Sequence, residues 1–234
     1  MVHLKEMIVL TANSESKSRN YPCKFENVSK QIELLKQFFC GLDYANERIA
    51  KKYLPEGAEG YFAIPRFEKI ASTYCEAVQR VIDLIKQVYN NSSNNYREEN
   101  FDPLILCQSE KKVQAFQQIS QEQKSCDIFI VPAQFGSRYA GLSMGSVRAE
   151  MSDNEFGLGV YEIGIMLLTT PNRLCNNNSL LVDCIGDSLL LHSIGLNPSP
   201  NFGFYDGKII FGMNYPGIAA SEYGSVTGFV QVPK

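Results

Sequence analysis

The chain has 234 residues, 44% of them hydrophobic and 20% charged, with a formal net charge of −3. This is long enough to bury a core of its own, and the composition excludes wholesale disorder. The weak negative charge does not indicate a general phosphate-binding surface for nucleic acid. No apolar run approaches the roughly 20 residues of a membrane-spanning helix; the longest, Ile163 to Leu168, is interrupted by Gly164.

Met1 to Leu10 contains Lys5 and Glu6 and no cleavage-like small-residue site, so it reads as a first strand (Met7–Leu10) rather than a signal peptide. The seven cysteines are widely spaced and form no CxxC. The expectation is reduced thiols in the cytoplasm of a cell, without a structural zinc. His3 and His192 are the only histidines on which a histidine base could be built.

Asn27 opens the first clear helix, in which Val28, Ile32, Leu35, Phe39 and Leu42 make one apolar stripe, and Gly41 is placed to end it. Asp43–Lys52 adds a short second helix, and Tyr61–Ile64, closed by Pro65, reads as a strand. Leu54–Phe67 is a tight connection with its aromatics in the core, or an aromatic lip beside a pocket. Thr73 and Glu76 form a capping box for a helix that buries Val78, Val81, Ile82, Ile85 and Tyr89. The Asn-rich stretches Asn90–Asn95 and Asn176–Ser179 read as loops. Ser109 caps another helix with Val113, Phe116 and Ile119 inward.

Ile128–Val131 reads as a strand buried on both faces, and Leu180–Cys184 repeats that character. In the last quarter, Phe202–Tyr205 and Lys208–Gly212 flank Asp206-Gly207, a strong signal for a two-residue hairpin turn. Ser225–Val232 is the final strand. The order predicts one α+β domain: a mixed sheet with packed helices, alternating strand and helix in the first two-thirds and a β-meander at the end.

Three segments carry chemistry. Ser152-x-x-Glu155 has the form of a capping box, and Thr170-Pro171 closes the segment, which predicts an apolar helix of nearly five turns between them. Along that helix Glu155, Glu162 and Thr169 are seven apart and drift by only about 20° per step, so they form one polar line. Facing inward, Glu162 needs a cation or donors, or it takes up a proton, and such a carboxylate is a candidate acid or base. Facing outward, the line is merely the wet edge of the helix. Gly157 and Gly164 make a second line that lets a neighbouring element approach closely.

Pro132 to Gly141 follows a buried strand, and in parallel sheets ligands bind at such strand ends. Gln134, Ser137, Arg138 and, further on, Arg148 are the candidate ligand contacts for an anionic or polar substrate. An ordinary surface loop is the competing reading. Asp183 and Asp187 flank a turn, and two carboxylates at a strand end are where Mg²⁺ would be held. With Glu155 or Glu162 they would make the site of a metal-dependent hydrolase. No GxSxG elbow, P-loop or three-glycine dinucleotide fingerprint is present.

Leu54–Arg66 (LPEGAEGYFAIPR), Val131–Gly136 (VPAQFG) and Asn154–Gly159 (NEFGLG), together with Gly164–Leu174 and Asp183–Asp187, resemble segments of an uncharacterised family of bacterial hypothetical proteins. The resemblance covers most of the chain from Asn27 onward and implies no established activity. The family's stretch after the VPAQFG segment is more basic, with arginines and a histidine. Ser137–Arg148 holds two arginines, which puts any anion-binding role implied for that stretch in doubt.

Two functional readings stand. One is an intracellular enzyme using carboxylates: Glu155, Glu162, Asp183 and Asp187, with Arg138 as an anion contact. It predicts that these residues converge on one pocket. The other is a noncatalytic binding or assembly protein, a homo-oligomer among the options, in which the glycine-lined helix and the C-terminal hairpin meet a partner.

Overall fold

The computed structural model describes residues 25–89, 106–175, 177–190, 197–205 and 208–231. The expected strand Met7–Leu10, both histidines, Cys23, Asn90–Asn95 and the Asp206-Gly207 pair lie outside those residues.

The helices begin where side chains can cap them. Asn27 accepts from the Lys30 amide at 2.9 Å and starts α1 (Val28–Phe38). A 3₁₀ turn over Glu47–Lys51 stands where a second helix is expected. After β1 (Gly60–Pro65), Thr73 and Glu76 form the full reciprocal box at the start of α2 (Tyr74–Val88). Strand β2 (Leu106–Gln108) leads through the Ser109 cap into α3 (Glu110–Glu122). Next come β3 (Ile128–Gln134), α4 (Met144–Glu150), β4 (Glu155–Gly157) and α5 (Val160–Thr169). Strands β5 (Leu181–Asp183), β6 (Asp187–Leu189), β7 (Ser199–Tyr205), β8 (Lys208–Asn214), β9 (Tyr223–Ser225) and β10 (Thr227–Phe229) finish the chain.

The fold class is α+β, as expected. The single mixed sheet is corrected to three sheets. The first has the order β1-β3-β10-β4 with every pair antiparallel. The second is the antiparallel pair β2-β6. The third has the order β8-β7-β5-β9 and is mixed, because β5 and β9 run parallel. Strands β7 and β8 pair as far as Tyr205↔Lys208, which leaves two residues between them at the predicted hairpin turn. The expected last strand is split into β9 and β10, which belong to different sheets. Because both strands paired with β3 run antiparallel to it, and its one parallel contact is a single bridge from Ala45 to Ile128 at its start, the rule that places ligands at the ends of parallel strands does not apply to the loop after it.

The long helix over 152–171 is a second correction. Residues 155–157 pair with Phe229, Gly228 and Thr227 of β10, and the helix starts only at Val160. Ser152 and Glu155 form a turn, with the Glu155 amide donating to the Ser152 carbonyl at 3.0 Å. Glycine at 157 and 159 makes helix costly there, and Gly157 is needed bare: a Cβ would meet Ile185 and the Gly186 amide at under 3 Å. Glu155 and Glu162 are therefore not on one helical line.

All ten residues of α5 are buried, and it packs against α2. Gly164 sits at that crossing, where a Cβ would collide with Val81, so the close-approach reading holds for Gly164. One hydrophobic cluster runs from Val28 to Val230 and takes in the stripes of α1 and α2. Phe62 is in it, while Tyr61 is half-buried against it. No helix among the described residues is long and apolar enough to cross a membrane.

Candidate functional site

The β2–β6 pair brings two distant segments together. Gln108 stands opposite Asp187, and the Ser109 amide donates to the Gly186 carbonyl at 2.8 Å. Ser109 caps α3, so Lys112, in the helix's first turn, is delivered onto Asp187. From the other side the start of α5 approaches: the Val160 amide donates to Asp187 Oδ2 at 2.8 Å, and the Gly159 amide to Glu162 Oε2 at 2.9 Å. This second bond is half of a capping box; Gly159 has no side chain to supply the other half. Helix N-termini favour negative charge, and two carboxylates are placed at this one.

The result is a buried four-residue cluster. Lys112 Nζ donates to Asp187 Oδ1 at 2.6 Å, Tyr74 Oη at 2.7 Å and Glu162 Oε2 at 3.2 Å. The ammonium also lies 4.2 Å from the centre of the Tyr74 ring. Tyr74 Oη donates to Asp187 Oδ2 at 2.7 Å. One cation faces two carboxylates. Burial, opposed by Lys112 and reinforced by Asp187, raises the pKa of Glu162. Burial and the same two carboxylates push the Tyr74 phenol well up.

Glu162 differs from its partners in one respect. It lines a cavity of about 550 Å³, within the size range of small-molecule sites. Ile64, Pro65 and Phe67 form one wall, Val113 and Phe116 of α3 another, with Phe129 and Tyr161 beside them. Gln108, Gln117, Ser120 and Gln121 add polar edges. Arg66 lines it too, but its guanidinium is engaged: it donates to Cys126 O at 2.6 Å, Ser120 Oγ at 2.7 Å and Gln123 O at 3.1 Å, and lies over the Phe129 ring. The hydrogen bonds that Glu162 accepts from Lys112 and the Gly159 amide both fall on Oε2.

No family model, no curated protein and no solved structure matches the chain. Function has to be argued from the site itself.

The other predicted residues do not join this site. Glu155 is fully buried in a group of its own, where it accepts from Thr227 Oγ1 and, at 2.9 Å, from Tyr139 Oη. Arg138 Nε is 4.0 Å from Glu155 Oε1. Gln134 ties that group to the backbone, donating to Ser225 O at 2.7 Å and accepting from the Gly136 amide. Ser137 is exposed.

Asp183 lies in a third group on the β8-β7-β5-β9 sheet. Asn214 donates to its Oδ2 at 3.5 Å, while its Oδ1 and the hydroxyl of Ser225 on the neighbouring strand are buried without hydrogen-bond partners among the described residues. Burial, opposed by hydrogen bonds from Asn214 and Asn201 and by the charge of Arg148, raises the Asp183 pKa to about 7. Arg148 itself donates to Ser199 Oγ at 3.1 Å. The Asp183/Asp187 pair proposed for Mg²⁺ is thus divided. Asp187 already serves Lys112, Tyr74 and the Val160 amide, and among the described residues no group of three or more His, Cys, Asp and Glu is placed to hold a metal ion.

Lys112 and Tyr74 escape a reading of the sequence, although a signal exists. Lys112, Ala115 and Ile119 follow helical spacing, so the lysine heads the apolar stripe of α3. Tyr74 heads the stripe Tyr74, Val78, Val81 on α2 in the same way.

Proposed function

We propose that the protein is an acid–base enzyme that takes a small molecule into the cavity between α3 and β1 and moves a proton between it and Glu162. One observation carries this reading: a carboxyl group whose pKa is raised lines a cavity large enough for a substrate. Perturbed acids in clefts are candidate catalytic groups, because a base works best with a pKa near the working pH. Lys112, Asp187 and Tyr74 are positioning residues. They hold Oε2 in place and set how readily the group takes a proton. Carboxylate chemistry is kept from the sequence-based reading, without the Asp183/Asp187 metal pair and without Arg138 or Arg148 as substrate contacts. An intracellular setting is kept from the sequence-based reading, which rests on widely spaced cysteines without a CxxC.

The test is a small-molecule screen by thermal shift on three proteins: wild type, Glu162→Gln and Val113→Phe, the last filling the cavity. Hits should raise Tm with concentration in the wild type and lose that effect in V113F. Hits incubated in D₂O should gain deuterium on carbon with the wild type and not with E162Q. Hits unaffected by V113F would overturn the choice of cavity; binding without exchange would overturn the proton-transfer role.

A further inference from the structure

We infer that the molecule taken by this cavity is a small organic cation, a protonated amine on an apolar body. This rests on the cavity being the ligand site, as proposed above. The charges on its walls argue for it. Glu162 and Glu68 are negative, and Arg66 is the one positive side chain among the described lining residues. Arg66 is engaged by three backbone carbonyls and Ser120 and covers Phe129, so it does not offer an anion a bidentate fork. A carboxylate or phosphate would meet Glu162, whose one cation, Lys112, is shared with Asp187, and like charges in a site of low dielectric repel strongly.

The walls suit a cation as well. Phe67, Phe116 and Tyr161 line the cavity, and aromatic faces attract ammonium groups. Next door, the Lys112 ammonium lies 4.2 Å from the centre of the Tyr74 ring, held by the phenol oxygen, and donates to Glu162 Oε2. Lys112 does not balance the cluster, because Asp187 takes its shortest ion pair, 2.6 Å against 3.2 Å for Glu162. A second ammonium entering from the cavity would complete the neutralisation. The apolar wall of Ile64, Pro65 and Val113 would cover the ligand's carbon body.

Isothermal titration of the full chain with benzylamine, benzyl alcohol and benzoate at pH 7.5 tests this. Benzylamine should bind tightest and benzoate weakest. Glu162→Gln should weaken benzylamine by about thirtyfold or more, the scale of losing one partner of a buried charge pair, and leave benzyl alcohol within about twofold, since no charge pair is lost there. V113F should abolish both. Benzyl alcohol or benzoate binding as well as the amine, with V113F still blocking, would overturn the cationic class and leave the cavity reading standing. An amine whose binding ignores both E162Q and V113F, or no binding of any probe, would also overturn the cationic class. In those cases the screen above judges the cavity on its own.

Discussion

Lys112 Nζ lies 2.6 Å from Asp187 Oδ1, and neither side chain has any exposure to solvent. A pair this deep is held by its geometry, since each charge alone would carry a desolvation cost of several kcal/mol. Lys112→Met leaves Asp187 and Glu162 facing each other without a cation. The expected loss is about 3–5 kcal/mol near neutral pH. Lys112 opposes protonation of Glu162, so without it Glu162 binds its proton more tightly and the loss should shrink as pH falls. Urea unfolding of wild type and K112M at pH 5 and pH 8 checks this; an equal gap at both values would show that the carboxylates do not feel Lys112.

Asp183 makes a separate pH prediction. Its pKa in the fold is about 7, above the ordinary value of 3.8. The folded state therefore holds the proton more tightly than the unfolded chain. Stability from this group is fully present below about pH 4 and is lost as pH rises through about 7, with a ceiling of the order of 4 kcal/mol. Asp183→Asn keeps an acceptor for Asn214, carries no charge, and brings an amide donor towards the orphaned Ser225 hydroxyl. The variant should equal the wild type near pH 4.5 and exceed it at pH 8.5 by thermal unfolding. A variant less stable at both ends would refute the raised pKa.

Thr73 offers a smaller, local prediction. Its Oγ1 accepts from the Glu76 amide at 3.2 Å, and Glu76 Oε2 accepts from the Thr73 amide at 3.2 Å. Thr73→Ala should cost about 1 kcal/mol, while Thr73→Ser should cost almost nothing. Guanidinium unfolding midpoints of the two variants decide it, and equal midpoints would mean the cap contributes nothing.

That cap was legible because its cause is local: three residues of separation carry both hydrogen bonds. The stripe of α1 and the β7–β8 hairpin were legible for the same reason. The start of α5 was not, because β4 exists only through β10, some seventy residues away in sequence. Glu162 stands out in sequence as an acid within an apolar run, but whether it faces solvent or core depends on α2 and α3 closing over it. Lys112 is hidden for a related reason. A lysine at the end of an apolar stripe reads as the wet edge, and its burial follows from the β2–β6 pairing that delivers Asp187. The Asp183/Asp187 spacing suggested a shared site, yet the chain turns at Gly186 and sends the two carboxylates into different groups.

The α2–α5 crossing can be tested by trading volume between two residues. A Cβ on Gly164 would collide with Val81 Cγ1 and press Ile85 Cδ1 at 3.4 Å. Both sites are fully buried, so neither helix can relieve the contact by swinging a side chain into water. Gly164→Ala should destabilise by about 1–3 kcal/mol, the usual cost of overpacking, although alanine is the better helix former. Val81→Ala alone leaves a cavity and should also destabilise. Together the two changes should compensate, with a favourable coupling of about 0.5–3 kcal/mol in a double-mutant cycle. Gly217→Ala is the control, since a Cβ there meets nothing within 4 Å. The four proteins and the control need only urea midpoints. Additive losses at 81 and 164 would mean that the glycine's place is set by something other than contact with α2.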